Sequence, residues 1–241
     1  MPSVETIFSP ALIQHHLLDD RYAVIIDVLR ATTSICYALN EGAKALTPVA
    51  TPEHCLQYRR QGYLCAAERN GLKLEGFDMG NSPDEFRREK VEGREIAITT
   101  TNGTYALLES QQAERIFIGA FVNLDALASF LIRENKDVVL VCAGWKNKVN
   151  LEDSLFAGAL ATCLTNFDCD CDSTLMAKEL WLAAESNLSE VIDQSSHAQR
   201  FKKLGVDDLP LCLDMNRCPV VPEYIENRIV SLPLQNTGIA E

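Results

Sequence analysis

Short apolar runs alternate with segments of helical periodicity along most of the chain. Polar or glycine-containing segments bound the apolar runs, as is typical of strands, and the stretches between them place apolar side chains three and four residues apart. The candidate strands are Tyr22–Val28, Ala45–Ala50, Tyr63–Ala67, Glu95–Thr100, Arg115–Gly119 and Asp137–Cys142. The candidate helices are Thr32–Glu41, Pro83–Glu89, Leu124–Arg133, Glu152–Thr165 and two helices within Leu175–Phe201, broken near Ser186–Asn187. This alternation predicts an α/β fold with a mostly parallel sheet.

The chain is long enough for one large domain or two small lobes. Its 241 residues are 47% hydrophobic, which allows a sizeable core. We predict one domain over residues 1–241. If this domain has two lobes, 1–120 and 121–241, we expect their boundary near Gly119–Asn123. The tail after Pro210 is rich in proline (Pro219, Pro222, Pro233), and we expect it to wrap over the body of the domain.

Charge and cysteine usage narrow the class of protein. The net charge of −12 argues against a nucleic-acid partner, because phosphate backbones attract clustered Lys and Arg. An acidic protein that binds an anion needs local Arg, helix N-termini or a divalent cation. No secretory signal is evident, and no apolar stretch reaches the ~20 residues that span a bilayer. The nine scattered cysteines, including Cys169 and Cys171, indicate reduced buried thiols, so we expect a cytoplasmic protein.

Polar clusters follow four of the candidate strands. They are Asp27–Thr33, Glu68–Pro83, Thr99–Thr104 and Gly144–Asp153. In open α/β sheets, ligands bind in the crevice beyond the carboxyl ends of the strands. We therefore expect the four clusters to converge on one crevice.

The first and third clusters carry candidate groups for an oxyanion. Asp27 ends a strand, and Arg30 and Thr32 open a helix whose free amides suit a phosphate. The alternative is that Thr32 or Thr33 caps the helix while Asp27 accepts hydrogen bonds from a neighbouring loop. In the third cluster, Thr100, Thr101, Asn102, Gly103 and Thr104 form a candidate phosphate cradle. The alternative there is a Ser/Thr-rich turn with an Asn cap.

The second and fourth clusters supply candidate metal ligands. Glu68, Glu75 and Asp78 are carboxylates on one loop, and Mg²⁺ favours oxygen ligands. Glu152 and Asp153 either bind Mg²⁺ or stabilise the first turn of a helix with Asn150 as its N-cap. The turn at Asn81 leads into a helix that begins with proline, and its polar atoms can also face a ligand.

Absent motifs exclude several classes of enzyme. The chain has no Gly-x-Gly, which disfavours a Rossmann dinucleotide site, and no Gly-x-x-x-x-Gly-Lys-Ser/Thr, which disfavours a P-loop NTPase. The four histidines (His15, His16, His54, His197) lie outside the polar clusters, and we interpret them as surface or packing residues.

The clusters resemble, in order, the motifs of the 2-phosphosulfolactate phosphatase family. The similar segments are Asp27–Thr33, Glu68–Pro83, Thr100–Thr104, Cys142–Trp145 with Leu151–Asp153, Ser196–Leu204 with Gly205, and Val221–Pro222. The resemblance implies a three-layer α/β/α fold and Mg²⁺-dependent hydrolysis of 2-phospho-3-sulfolactate to 3-sulfolactate and phosphate. Departures from the family pattern are Ser34 in place of Thr, Asn70 in place of Gly and Asn150 in place of Ser.

The leading hypothesis is metal-assisted hydrolysis of a small phosphorylated sulfo- or carboxylic hydroxy acid. The predicted catalytic residues are Asp27, Glu68, Asp78 and Asp153, and the predicted Mg²⁺ ligands are Asp27, Glu68, Glu152 and Asp153. The predicted substrate-binding residues are Arg30, Thr32, Arg69, Asn81, Thr100, Thr101, Asn102, Gly103 and Thr104. Two rivals are a non-catalytic binding protein for small dianions and a cysteine-based redox or metal-storage protein. We expect neither a nucleic-acid partner nor a membrane, and the sequence leaves a homo-oligomer open.

Overall fold

A mixed sheet of ten strands lies at the centre of the computed structural model, which describes residues 1–233. The strands are β1 (Val4–Ile7), β2 (Tyr22–Ile26), β3 (Ala45–Pro48), β4 (Leu64–Arg69), β5 (Leu72–Lys73), β6 (Glu95–Thr99), β7 (Arg115–Gly119), β8 (Val138–Cys142), β9 (Pro222–Ile225) and β10 (Arg228–Ser231). The helices are α1 (Ala31–Asn40), α2 (Pro52–Arg59), α3 (Arg88–Val91), α4 (Gly103–Glu109), α5 (Leu124–Glu134), α6 (Leu151–Cys163), α7 (Asp172–Ala184), α8 (Leu188–Asp193), α9 (Ser196–Lys203) and α10 (Leu209–Cys212). Short 3₁₀ segments cover Pro10–His15, Pro83–Glu85, Phe121–Asn123 and Glu185–Asn187.

The sheet consists of two parallel blocks joined by a hairpin. Its strand order is β1-β8-β2-β7-β9-β10-β3-β6-β4-β5. The strands β1, β8, β2 and β7 run parallel to one another, as do β3, β6 and β4. The hairpin β9–β10 pairs antiparallel with β7 on one side and with β3 on the other. The two parallel blocks therefore run in opposite senses through the sheet.

Helices cover both faces of the sheet, which makes the fold a three-layer α/β/α arrangement. Alternate residues of a strand point to opposite faces. On β2, Val24 and Ile26 pack with α5, α6 and α7 in one core, whereas Ala23 and Ile25 pack with α1 and α4 in the other. Because both faces are covered, these strands are apolar throughout, and the sequence shows continuous runs rather than alternation.

The twist of the sheet explains how the opposed blocks can share one site. Neighbouring strands are rotated by roughly 20–25°, so six steps turn the strand direction by roughly 120–150°. Six steps separate β2 from β4 in the sheet. The carboxyl end of β4 is thereby turned back toward the carboxyl end of β2, and the loops after both strands reach one cavity.

The predicted α/β class and the central strands are confirmed, with boundaries that differ by a few residues. The segment Pro83–Glu89, predicted as one helix, is a 3₁₀ turn followed by α3. The segment Leu175–Phe201 contains three α-helices rather than two, because a 3₁₀ turn at Glu185–Asn187 and the N-cap Ser195 each interrupt it. Helix α2 and strand β1 were not predicted.

The proline-rich tail does not simply wrap over the body. It contributes β9 and β10 to the middle of the sheet, and Pro222 is the first residue of β9, a position where proline costs no ladder hydrogen bond. Strands from both sides of residue 120 are interleaved, since β8 lies between β1 and β2. Over residues 1–233, no helix is long and apolar enough to cross a membrane.

Candidate active site

A polar cavity lies where the segments that follow β2, β4, β6 and β8 meet helix α9. Its lining residues come from these five segments of the chain. They are Asp27, Leu29, Arg30, Glu68, Gly71, Asn81, Thr101, Asn102, Trp145, His197, Arg200 and Phe201. Two carboxylates and two guanidiniums thus line one small space, as the predicted convergence of clusters requires.

Asp27 is buried at the end of β2, next to the first turn of α1. Its backbone amide donates to Thr32 Oγ1 at 3.1 Å, and its carbonyl accepts from the Thr32 amide at 3.0 Å. Thr32 therefore fixes the backbone of Asp27 and leaves the carboxylate directed at the cavity. Burial raises the pKa of Asp27 to about 6, and the charges of Glu68 and Glu152 add to this shift.

Glycine at position 103 is required by close packing beside this carboxylate. A Cβ atom there would lie 3.0 Å from Asp27 Oδ2 and 2.8 Å from the Ala31 Cβ. The starts of α1 and α4 therefore meet at Asp27. Gly103 contributes this approach, and it does not line the acidic cavity.

Glu68 is held by the hairpin turn that follows β4. Its Oε1 accepts from the Gly71 amide, and its Oε2 lies 3.5 Å from Thr101 Oγ1. Asn70 and Gly71 both have positive φ, 57° and 88°. Asparagine tolerates this region better than most residues, so the departure from the family's usual glycine keeps the turn.

Arg30 is fully buried and is fixed on three sides. Its two terminal nitrogens donate to Asp208 Oδ2 and, at 2.7 Å, to the Gly71 carbonyl. The guanidinium also stacks on Phe201, 4.7 Å from the ring centroid. Its Nε is buried and has no hydrogen-bond partner in the described part of the chain. Asp208 also accepts from Ser82 Oγ at 2.7 Å, so it is itself oriented.

Arg200, His197 and Trp145 complete the cavity, and sequence reasoning gave none of them a role in the site. His197, which we interpreted as a surface or packing residue outside the polar clusters, is buried, and its side chain lines the cavity. The Arg200 guanidinium lies 4.5 Å from the Trp145 ring centroid. The available signal was the family resemblance of Ser196–Leu204, which contains both His197 and Arg200.

The threonine cluster divides into lining and supporting residues. Thr101 and Asn102 line the cavity. The Thr100 and Thr104 hydroxyls instead accept from each other's backbone amides at 3.2 and 3.3 Å, and lie 3.2 Å apart. Those two residues form the Ser/Thr turn of the alternative interpretation, but the Asn102 side chain does not cap α4 as that interpretation expected.

Glu152 and Asp153 are buried at the start of α6 and lie beneath the cavity rather than along it. Asp153 accepts from the Val28 amide at 2.9 Å and the Gly144 amide at 3.0 Å, which ties three loops together. Burial raises the pKa of Asp153 well above its usual range, and the charges of Glu152 and Asp27 add to the shift. Glu152 Oε1 accepts from His197 Nδ1 at 2.8 Å, and its Oε2 has no hydrogen-bond partner among the residues that the structure describes.

Three other predicted residues lie outside the cavity, whereas Asn81 lies inside it. Asp78 accepts from the Cys65 amide at 2.8 Å and from Arg59 at 3.0 Å. Arg69 donates to the Glu68 carbonyl and to Thr99 Oγ1, so its charge is turned away from the cavity. Glu75 is exposed to solvent. Asn81 is buried in the lining, and within residues 1–233 its Oδ1 has no hydrogen-bond partner.

The residues that line the cavity could hold Mg²⁺ only through two carboxylates, those of Asp27 and Glu68. Within residues 1–233, no three His, Cys, Asp or Glu side chains are arranged to hold a metal ion together. The predicted four-carboxylate set is therefore not assembled, because the Asp153 oxygens face backbone amides and Glu152 does not line the cavity. Asp27 and Glu68 remain, and Mg²⁺ is commonly held by one or two carboxylates, waters and substrate phosphates.

These features define an α/β protein in which two carboxylates and two guanidiniums line one cavity. Comparison with known proteins identifies the class further. The family model described as 2-phosphosulpholactate phosphatase matches residues 7–227, so the chain belongs to that family of phosphatases.

Several relatives, each named a probable 2-phosphosulfolactate phosphatase, are similar over most of their length. The protein from Caldanaerobacter subterraneus subsp. tengcongensis is 39% identical over 221 residues, covering 88% of this chain and 91% of the relative. That from Thermotoga petrophila is 41% identical over 206 residues, covering 85% and 89%. That from Clostridium beijerinckii is 35% identical over 233 residues, covering 94% and 98%. This family membership favours an enzyme over a non-catalytic binding protein.

Proposed function

We propose that the protein hydrolyses the phosphate ester of a small hydroxy acid that carries further anionic groups, with 2-phosphosulfolactate as the substrate. The observation that carries this proposal is one small cavity in which Asp27 and Glu68 share the lining with Arg30 and Arg200. The names of the relatives support the choice of substrate.

The two guanidiniums would bind the phosphoryl and sulfonate oxygens. Each offers planar donors that match such oxyanions, and both stack on aromatic rings that limit their motion. Thr101 and Asn102 add neutral donors at the same wall. A substrate with one anionic group would occupy only part of this set, so we expect a strong preference for polyanionic esters.

Asp27 and Glu68 would hold Mg²⁺. When bound, the ion would supply charge neutralisation at the phosphoryl oxygens. The role of the protein is to keep the two carboxylates directed at the cavity, which Thr32, Gly71 and Thr101 do through the contacts described above. The aromatic and apolar lining (Leu29, Trp145, Phe201) would exclude water from the rest of the site.

Phosphate release from three esters tests the proposal. The esters are 2-phosphosulfolactate, 2-phospholactate and p-nitrophenyl phosphate, each assayed after EDTA treatment and after adding Mg²⁺ back. We expect hydrolysis only with the metal, and fastest with 2-phosphosulfolactate. Full activity in EDTA would contradict the metal role, and equal rates on all three esters would contradict the substrate. The Asp78→Asn variant is the matched control, because Asp78 is an acid on the same loop as Glu68 but outside the cavity.

We also place the protein in the cytoplasm. All nine cysteines are free thiols, and six of them are buried, as is usual in a reducing compartment. The expectation of no nucleic-acid partner stays a prediction, and a homo-oligomer stays open.

A further inference from the structure

Arg200 has no carboxylate in direct contact within residues 1–233. In the described part of the chain it forms no ion pair, whereas Arg30 is paired with Asp208. Among the same residues its Nε is buried without a hydrogen-bond partner. Burial lowers the pKa of Arg200 although the charges of Glu68 and Glu152 oppose this shift, which means that the folded protein holds this cation at some cost. An unpaired, partly buried guanidinium is expected to be stabilised by an incoming anion.

The contact that holds Arg200 is a neutral one. Arg200 Nη2 lies 3.0 Å from His197 Nε2. An arginine can only donate, so Nε2 must be the acceptor, and the imidazole proton must sit on Nδ1. A carboxylate in this place would orient the guanidinium equally well but would also neutralise it.

Glu152 accounts for that tautomer. His197 Nδ1 donates to Glu152 Oε1 at 2.8 Å, and the amide of Asn150 is the more distant neighbour of the same nitrogen, at 3.4 Å. A carboxylate on one ring nitrogen fixes which nitrogen carries the proton and how the ring is turned. The Phe201 ring packs against the imidazole, with the two ring centroids 4.6 Å apart, and this contact limits movement of the His197 side chain.

We propose that His197, oriented by Glu152, is a positioning residue that holds Arg200 through a neutral acceptor, so that its full charge meets an anionic group of the substrate. This inference rests on the proposed function, because it assigns Arg200 to an anion that the enzyme binds. It gives His197 no proton transfer. It also gives Glu152 a role that needs no metal.

Binding of inorganic phosphate tests the proposal without turnover, by isothermal titration calorimetry on the whole protein. Arg200→Ala should weaken binding by about tenfold or more, the scale of hydrogen bonds to a charged group. His197→Ala should weaken it by about three- to tenfold, the scale of a neutral hydrogen bond. His197→Gln, which can place an oxygen near the position of Nε2, should stay within about twofold of the wild type, since the acceptor is retained. Glu152→Gln should lie between these two variants.

Two further measurements separate positioning from general damage. In the Arg200→Ala background, His197→Ala should add less than about twofold, because residues that act through one contact are not additive. Lys202→Ala removes a charge from the same helix outside the cavity and should change binding by less than about twofold. Thermal unfolding checks that each variant is folded.

His197→Gln that binds phosphate as weakly as His197→Ala would overturn the proposal, and so would full additivity with Arg200→Ala. Because no ester is hydrolysed in this assay, the result does not depend on whether the protein cleaves 2-phosphosulfolactate. In the phosphatase assay, loss of activity in His197→Gln at unchanged phosphate affinity would likewise overturn it, since an acid–base role would then be needed.

Discussion

Two pairs of acidic residues look alike in the sequence and differ in the structure. Asp27 and Glu68 line the cavity, whereas Glu152 and Asp153 lie beneath it with their oxygens facing backbone amides and an imidazole. All four are buried. The difference is whether the carboxylate lines the cavity, and it separates carboxylates that can bind a ligand from carboxylates that hold loops together.

The largest effect is expected from Asp27→Asn. Asparagine keeps the shape of the side chain but removes its charge, so phosphate release from 2-phosphosulfolactate should fall by about 1000-fold, the scale seen for positioned acid–base or metal-binding groups. The melting temperature should be nearly unchanged. If the variant kept more than a tenth of the wild-type activity, Asp27 would have a structural role like that of Glu152 and Asp153.

Glu68→Gln sharpens the assignment of the metal. If Glu68 is one of two carboxylates on Mg²⁺, the Mg²⁺ concentration for half-maximal activity should rise by about 10- to 100-fold, at least the range found for residues that support metal ligands. Excess Mg²⁺ should then restore part of the rate. A lower rate at an unchanged Mg²⁺ requirement would show that Glu68 contacts the substrate instead.

Asp153→Asn should affect stability. One amide oxygen can serve one of the two backbone donors, but the amide nitrogen would face the other, leaving it unpaired at a cost of about 2–3 kcal/mol. For a chain of this size the melting temperature should fall by about 5–10 °C. If the variant had an unchanged melting temperature but no activity, Asp153 would have a catalytic role like that expected for Asp27 and Glu68.

The smallest effect is expected from Asp78→Asn, which also tests pH dependence. Burial raises the Asp78 pKa, but the Cys65 amide and Arg59 outweigh it and lower the pKa overall. A lowered pKa in the folded state stabilises the protein above the unfolded pKa of about 4, and this contribution disappears as the pH falls through the folded value. The side chain is 35% exposed, so the loss at pH 7 should be under about 1 kcal/mol.

Chemical unfolding of wild type and Asp78→Asn at pH 7 and pH 3 measures that difference. It should shrink toward pH 3, and phosphatase activity at pH 7 should stay within about twofold. A large loss of activity would show that Asp78 takes part in catalysis, as the sequence analysis predicted.

Much of the fold followed from the pattern of apolar residues. Six central strands and the helices α1, α5 and α6 were predicted within a few residues, because buried strands and amphipathic helices bury whole runs of side chains. The hairpin β9–β10 was missed, since a proline-rich tail gives no local sign that it will enter the middle of a sheet. Its partners β7 and β3 lie about a hundred residues or more away in the chain.

The candidate site was predicted in part. Asp27, Arg30, Glu68, Asn81, Thr101 and Asn102 all line the cavity, as expected from residues placed directly after strands. Arg69 and Asp78 follow the same strand and lie elsewhere, because the β4–β5 turn directs Glu68 inward and gives its neighbours other partners. His197 and Arg200 come from α9, which follows another helix rather than a strand.

The sequence by itself determined the alternation of strands and helices, the acidic surface charge and the kinds of side chain available for chemistry, because these depend on residue type and spacing. Only the tertiary structure decided which carboxylates line the cavity, and that an arginine and a histidine from α9 complete the site. Each of those outcomes depends on contacts between residues that are far apart in the chain. Such contacts leave no periodic pattern in the neighbouring sequence, so the sequence alone does not predict them.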